Sequence, residues 1–532
     1  MKKHARQVFW NAMLLTAATL LMRTVGVSFQ VYVSNRVGAE AMGLFSLMSG
    51  VYGFSLTLAT SGIHLGVTHV VVEAMGRNEE HRIGTAMRRA VVYALVFGFG
   101  SALLLFSFAE PIGIRWLKDA RTVSSLRLFG MTLPAIAISS ALGGYFTAVR
   151  RAYKNAAVQV FEQAVKIGAT MYLLGVVAPG GIEETCCALV LGGALAEILS
   201  FLFELLLYLI DRNLHFPDRR AGSSANEGRK LMKIALPIAL TAYVRSGLIT
   251  LEHILIPEGL RNSGSSHAAS LAAYGCIQGM AIPVVLYPAA LISSFSGLLV
   301  PELAECHVQN CRLRINYMIS RVWSLSLMFS IGIAGILICF SGEIGEALYP
   351  ATDTGRYIRL LAPLIPIMYV DTATDAMMKG LGEQVFSMKI NILDALISVI
   401  LVRFLIPKYG ITGYLITIYF SELFNTVLSI HHLLTVSSTK VRLLKWVYQP
   451  LLCIVGATCM TRILLELTGF SVSSPALSIF LHCFWTLALY VLLLLFTKSI
   501  DREDLEWFKT LFQKPTAQQD SPVSAKSVDF KA

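Results

Sequence analysis

Ala90-Val-Val-Tyr-Ala-Leu-Val-Phe-Gly-Phe-Gly-Ser-Ala-Leu-Leu-Leu-Phe-Ser-Phe-Ala109 runs without a single charge between Arg88-Arg89 and Glu110-Pro111. A run of this length crosses a bilayer core as an α-helix, whose internal hydrogen bonds satisfy the backbone groups that lipid cannot. Comparable runs recur at 10–34, 41–66, 124–148, 156–178, 186–210, 232–255, 270–300, 322–341, 357–378, 389–406, 411–434, 447–468 and 476–497. They are continuous rather than alternating, which favours helices over a membrane barrel. Of 532 residues, 55% are hydrophobic and 14% charged, whereas soluble domains carry about 25% charged residues. The expected fold is an all-α polytopic membrane protein with about 14 transmembrane helices.

The net charge of +11 suggests a nucleic-acid partner only until its distribution is read. Most Lys and Arg fall in alternate inter-span segments: 1–9, 73–89, 149–155, 211–233, 305–321, 379–389, 435–446 and 498–532. By the positive-inside rule this predicts a multi-pass protein of the cell membrane with both termini cytoplasmic. The basic balance then reflects topology and contact with membrane lipid headgroups, not nucleic acid. Met1-Lys-Lys-His-Ala-Arg6 opens a retained first helix, because no small-residue cleavage site closes the run and it continues past Arg23. The nine cysteines are scattered, mostly within spans, and read as small apolar fillers with no disulfide framework or metal site.

An internal repeat organises the spans. Leu126-Arg127-Leu128 is followed by Pro134 and, 28 residues later, by Glu162; Ile358-Arg359-Leu360 is followed at the same intervals by Pro366 and Asp394. Lone arginines mark the first and seventh spans, Met22-Arg23-Thr24 and Val244-Arg245-Ser246, and Pro179-Gly-Gly-Ile182 is echoed by Pro407-Lys-Tyr-Gly-Ile411. These matches predict two pseudo-twofold-related six-helix bundles, 1–210 and 232–434, of parallel orientation. A cytoplasmic linker at 211–231 joins them, two extra helices occupy 447–497, and 498–532 forms a cytoplasmic amphipathic helix near 500–512 and a disordered tail.

Each charge within a span needs a partner or a wet cavity, at a cost of about 2.5–3.5 kcal/mol at a helix centre. Glu162 and Lys166 are spaced to pair on one helix. Arg23 has no acid within a turn of its own helix and recurs as Arg245; facing each other across the pseudo-twofold, the two would give a central cavity a positive lining. A guanidinium suits pyrophosphate because its planar fork meets phosphate oxygens in pairs and stays protonated when desolvated. Arg23, Arg245, Glu162 and Lys166 are therefore the candidate substrate-binding residues. Asn391 and Asp394 offer oxygens for a coupling ion, Na+ or H+, or alternatively a hydrogen bond to a neighbouring helix. His64 and His69 read as polar fillers. No catalytic motif and no phosphate-cradling loop occurs, so neither an enzyme nor ATP-driven transport by this chain is expected, and no cofactor is implied.

Several stretches resemble one family. Leu21-Met-Arg23-Thr-Val-Gly26 with Ser34-Asn-Arg-Val-Gly38-Ala-Glu-Ala-Met-Gly43-Leu-Phe-Ser-Leu47, Gly143-Gly-Tyr-Phe146 with Val158-Gln-Val-Phe-Glu162-Gln163, and Leu299-Val-Pro301-Glu302-Leu303 are similar to bacterial polysaccharide and lipid-linked oligosaccharide flippases, including those of sporulation. The likeness extends over about residues 5–510, and the superfamily also holds lipid II flippases and multidrug and toxin extrusion transporters. It implies two bundles forming a V around a cavity, two extra helices beside a lipid groove, and alternating-access transfer of an undecaprenyl-pyrophosphate-linked sugar in cell-wall or spore-cortex assembly. In the lipid II branch the cavity arginine of the first helix matches Arg23, and Asn391 and Asp394 match the eleventh-helix part of a sodium site. Gly143 stands where the family usually has Arg, with Arg150 and Arg151 nearby. Two other readings stay open: a cation-coupled multidrug exporter, which needs an acidic cavity, and a non-transporting scaffold that recruits envelope-synthesis proteins.

Overall fold

The structure, a computed structural model, describes residues 2–60, 62–77, 79, 81–177, 181–215, 226–437, 439, 442–468, 475–497 and 499. The N-terminal lobe contains α1 (Lys2–Thr60), α2 (Ile63–Gly76), α3 (His81–Pro111), α4 (Thr122–Ala148), α5 (Ala152–Val177) and α6 (Ile182–His215). The C-terminal lobe contains α7 (Asn226–Asn262), α8 (His267–Tyr274), α9 (Ile282–Leu286), α10 (Ala289–Val308), α11 (Arg312–Leu348), α12 (Thr354–Leu361), α13 (Ile365–Gly380), α14 (Gln384–Tyr409) and α15 (Ile411–Ser437). Beyond it lie α16 (Gln449–Thr468) and α17 (Pro475–Phe496), and no strand occurs among the described residues.

Twelve stretches are long and apolar enough to cross a membrane by length and composition. The difference from the 14 expected spans has local causes. The first two spans count as one because α1 continues on both sides of Gly38, whose φ of 83° only glycine adopts easily. The chain folds back there: Gln30 donates to the Gly279 carbonyl at 2.8 Å, and Ser46 on the returning arm lies against the same glycine. Span eight counts as two because a π-helical segment and Pro288 divide it into α8, α9 and α10. α5 is absent from the twelve, Lys154, Glu162 and Lys166 lying along it, and so is the tenth span, broken at Pro363 and Pro366 into α12 and α13.

The repeat is visible in element lengths. α5 and α14 both have 26 residues, and Glu162 and Asp394 occupy the same turn of each. α4 and the broken segment Thr354–Gly380 are equally long, with Arg127 and Arg359 at the same offset. Helix ends run further than expected: α11 has 37 residues, about 55 Å of helix, against a hydrocarbon core of about 30 Å. Hydropathy misses such ends because water satisfies their polar side chains. The expected linker at 211–231 is correspondingly shorter, since α6 reaches His215 and α7 begins at Asn226. The expected amphipathic helix at 500–512 and the tail lie outside the described residues.

The lobes meet where side chains are small. A Cβ on Gly43 would lie 2.0 Å from the Leu271 carbonyl oxygen, and one on Gly275 would lie 2.2 Å from that of Ala39. α1 and α8 therefore touch backbone to backbone, the close approach glycine permits in membrane helices. Towards the face on which α1 begins, the returning arm of α1 meets α7 through Thr250 to Gly50 O (2.9 Å), Thr57 to Ser246 (3.1 Å) and Tyr243 to Leu58 O (3.2 Å). At the opposite face polar bonds cross between lobes from Asn35 to Leu348 O (2.6 Å), Lys118 to Glu258 (2.7 Å) and His267 to Asp119 (2.9 Å).

Candidate functional site

A cavity of about 420 Å³ lies in the C-terminal lobe between α7, α10, α13, α14 and α15. Arg245 enters from α7, Asp371, Asp375 and Lys379 from successive turns of α13, Asn391 from α14 and Asn425 from α15. The intervals of four along α13 put its three charges on one helical face, and Lys379 pairs with Asp375 at 2.8 Å. Ser387 donates a short hydrogen bond to Asp375.

Arg245 donates to Asn391 Oδ1 at 3.4 Å, and among the described residues no carboxylate lies within 4.0 Å of it. Asn391 is held in turn by the Ser387 carbonyl at 2.8 Å. Asp371 accepts from Asn425 Nδ2 at 3.5 Å, while Asp371 Oδ1 and Asn425 Oδ1 are both buried with no hydrogen-bond partner. Asp394 accepts from Ser421 of α15 at 2.7 Å, and Glu252 from Ser398 at 2.6 Å. The charges of Asp371, Asp394 and Glu422 bear on one another, with Arg245 acting on Asp371 and Asp394. The lobe interior is thus acidic around one unpaired guanidinium. Among the described residues no group of His, Cys, Asp and Glu converges as a metal-binding cluster.

Arg23 does not join Arg245. It reaches from α1 across to the other lobe and donates to the Leu286 carbonyl at 3.2 Å. That carbonyl is free because the helix breaks there, the Ala290 amide bonding back to Tyr287 O instead. Thr24 adds a 2.8 Å bond to the Tyr287 hydroxyl. The expected pair of facing arginines is therefore replaced by one cavity arginine and one that caps a helix break.

Glu162 and Lys166 come no nearer than electrostatic range, with no ion pair within 4.0 Å among the described residues. They belong to a second charged group: Glu197 and Glu204 on α6 interact electrostatically with Glu162. Gly143 opens onto this group, since a Cβ there would lie 3.5 Å from both Glu204 Oε1 and His64 Nδ1. His64 also meets Thr147 at 3.4 Å, so it is part of a polar network rather than a filler.

Asp371, Asp375, Asn425 and Ser429 line the cavity although none is among the candidate site residues chosen from the sequence, where Asp371 and Asp375 count only as charges within a span. The signal was present: Asp371-x-x-x-Asp375-x-x-x-Lys379 and Asn425-x-x-x-Ser429 are one-face polar stripes inside apolar runs.

Two helical lobes of membrane-length helices, the C-terminal one holding a charged cavity, are the architecture of a membrane transporter. The MatE family matches residues 15–172. The chain is 24% identical over 415 residues to stage V sporulation protein B of Bacillus subtilis (strain 168), covering 77% of this chain and 80% of that one. It is 32% identical over 148 residues to the probable multidrug resistance protein NorM of Caulobacter vibrioides, covering 27% and 30%. In solved structures the fold matches the lipid II flippase MurJ in an inward closed conformation, with TM-score 0.68 and 14% identity, over 93% of this chain and 100% of that one. The chain is thus similar in sequence to a sporulation protein and a multidrug resistance protein, and in fold to a lipid II flippase.

Proposed function

We propose that this protein is a flippase that moves an undecaprenyl-pyrophosphate-linked oligosaccharide or peptidoglycan precursor across the cytoplasmic membrane by alternating access. Its setting would be cell-wall or spore-cortex assembly. The face on which α1 begins is assigned to the cytoplasm, from the distribution of Lys and Arg. The observation that carries the reading is Arg245, a guanidinium inside a membrane cavity with one long bond to Asn391 and, among the described residues, no ion-paired carboxylate. Such a group has donors left for a pyrophosphate. Arg23 contributes differently: holding Leu286 at the helix break, it would set the spacing of α1 and α9 and exchange that carbonyl for a phosphate oxygen when cargo arrives. The resemblance of the sequence to stage V sporulation protein B and the shared extent of the fold with MurJ support the same class. Coupling to Na+ or H+ is assigned to the acidic wall of the same cavity, where Asp371 Oδ1 and Asn425 Oδ1 lack partners. Asn391 and Asp394 lie beside it.

A second reading, a cation-coupled multidrug exporter, is favoured by that same acidic wall. Reconstituted proteoliposomes offered lipid II, another undecaprenyl-linked glycan and a cationic dye separate the two. The flippase reading expects transfer of a pyrophosphate lipid that is lost in Arg245→Ala and impaired in Arg245→Lys. Transport of the dye alone, insensitive to Arg245→Ala, would overturn it.

A further inference from the structure

A second basic site lies away from the cavity, at the corner where the start of α3, the α4–α5 turn and the end of α6 meet. Its centre is Asp211, whose side chain is only 1% exposed. This carboxylate accepts from the Tyr145 hydroxyl at 2.9 Å and forms short ion pairs with Arg151 and Lys154. The Tyr145 ring meets Tyr208 edge-on at 5.0 Å, and the Tyr208 hydroxyl lies within the electrostatic reach of Arg212 and Arg88. Two cations therefore hold one carboxylate above a buried aromatic floor, Arg88 and Arg212 act electrostatically on the Tyr208 end of that floor, and Arg150 stands exposed beside Arg151 in the chain. Among the described residues neither Arg88, Arg150 nor Arg212 has a carboxylate within 4.0 Å.

A solvated face would leave such cations free to move apart. Here Arg151 and Lys154 are anchored side by side on one Asp211 oxygen, so their mutual repulsion is built in and the cost of ordering them is already met. A fixed excess of positive charge asks for an anion, and guanidinium forks match phosphate oxygens in pairs. The corner's surroundings choose the source. Tyr153 is 60% exposed and Leu214 72% exposed beside it, an aromatic and an apolar side chain at a helix end, where the headgroup region of a bilayer receives them. We propose that this corner is a binding site for the phosphate of an anionic phospholipid, at the membrane face on which α1 begins and separate from the transport cavity.

The test uses the full-length protein in neutral detergent, titrated with short-chain phosphatidylglycerol, phosphatidylcholine or inorganic phosphate, with the thermal unfolding midpoint as readout. Phosphatidylglycerol alone is expected to raise the midpoint. In Arg88→Gln/Arg212→Gln, which leaves the Asp211 ion pairs in place, its apparent affinity should fall about 30-fold, at about fivefold per cation lost. An undiminished response in that variant, or an equal response to phosphatidylcholine, overturns the site. An equal response to inorganic phosphate overturns the lipid assignment. Should the variant fail to accumulate, the wild type decides: raising salt from about 0.1 M to about 1 M cuts the screening length from about 10 Å to about 3 Å. The phosphatidylglycerol effect should then weaken, and persistence at full strength counts against the proposal.

Discussion

Removing the two bonds to carboxylates that cross between lobes at the face opposite the start of α1, while the Asn35 bond to the Leu348 carbonyl stays, should shift the protein towards opening there. Asp119 is 5% exposed and held within its own lobe by Arg121, whose Nε and Nη2 donate at 2.9 and 2.7 Å. His267→Ala therefore deletes the 2.9 Å cross-lobe bond without leaving a buried carboxylate unpaired. A hydrogen bond to a charged group contributes about 1.5–3 kcal/mol, and the lower end applies because the His267 side chain is 34% exposed. Lys118→Gln removes the bond to Glu258, whose partners are 47% and 28% exposed, a pair worth about 0.2–1 kcal/mol. The double variant should thus lose about 2 kcal/mol of closure, raising the open-to-closed ratio about 30-fold. Nitroxide labels on exposed Ala120 and Ser265 would report the distance across this closure by pulsed electron resonance. Glu40→Gln, which touches only Arg121 of the same lobe at 3.1 Å, serves as the control. A distance distribution unchanged in the double variant, or shifted equally by Glu40→Gln, refutes the role of these bonds.

The same closure should resist acid. Burial alone would raise the Asp119 carboxyl, but hydrogen bonds from Arg121 and His267 outweigh it and hold the group below the ordinary aspartate value. A depressed folded value contributes stability that is present above the unfolded value and is lost as pH falls through the folded one. The label distance should then stay constant from neutral pH down through the usual aspartate range, whereas earlier opening would show that Asp119 is not so held. Gly43→Ala puts a methyl 2.0 Å from the Leu271 carbonyl oxygen; it should cost about 1–3 kcal/mol as overpacking, read as a lower unfolding midpoint, and an unchanged midpoint would place the lobes further apart. Asp371→Asn should abolish the dependence of transport on the coupling ion while leaving substrate binding intact, measured by equilibrium binding beside ion-gradient uptake; full ion dependence in this variant would move coupling elsewhere.

How far the sequence reached depended on whether a feature was local. The spans were legible because lipid forbids unsatisfied backbone, and the repeat because Arg127, Pro134 and Glu162 keep their intervals to Arg359, Pro366 and Asp394. The breaks at Gly38 and Pro288 change how spans are counted without changing how the chain crosses. Pairing was less legible, for it is decided between helices. Arg23 and Arg245 are equivalent in sequence, yet Pro288 breaks the helix facing Arg23 and offers it the Leu286 carbonyl, while Arg245 faces an unbroken α14 and its Asn391. Glu162 and Lys166 have the spacing of a pair, but Glu197 and Glu204 come from another helix to share that charge.

The inequality of the two arginines bears on mechanism. A symmetric pair would bind a pyrophosphate equally through both lobes and draw them together, but it would not link cargo entry to the breaking of an interlobe bond. The asymmetric arrangement supplies that link, because Arg23 belongs to one lobe and its carbonyl partner to the other. On the proposed flippase reading, an anion that draws Arg23 away would remove an interlobe bond at the moment cargo enters. Binding can then shift the conformational equilibrium by the difference in affinity between the two states. Arg23→Ala should therefore lose flipping and also loosen α1 against α9 without substrate, visible as faster hydrogen exchange around Leu286 to Pro288. Arg245→Ala should lose substrate binding with that exchange unchanged. Identical exchange behaviour in the two variants would show that the arginines act alike, and the division of labour would fall.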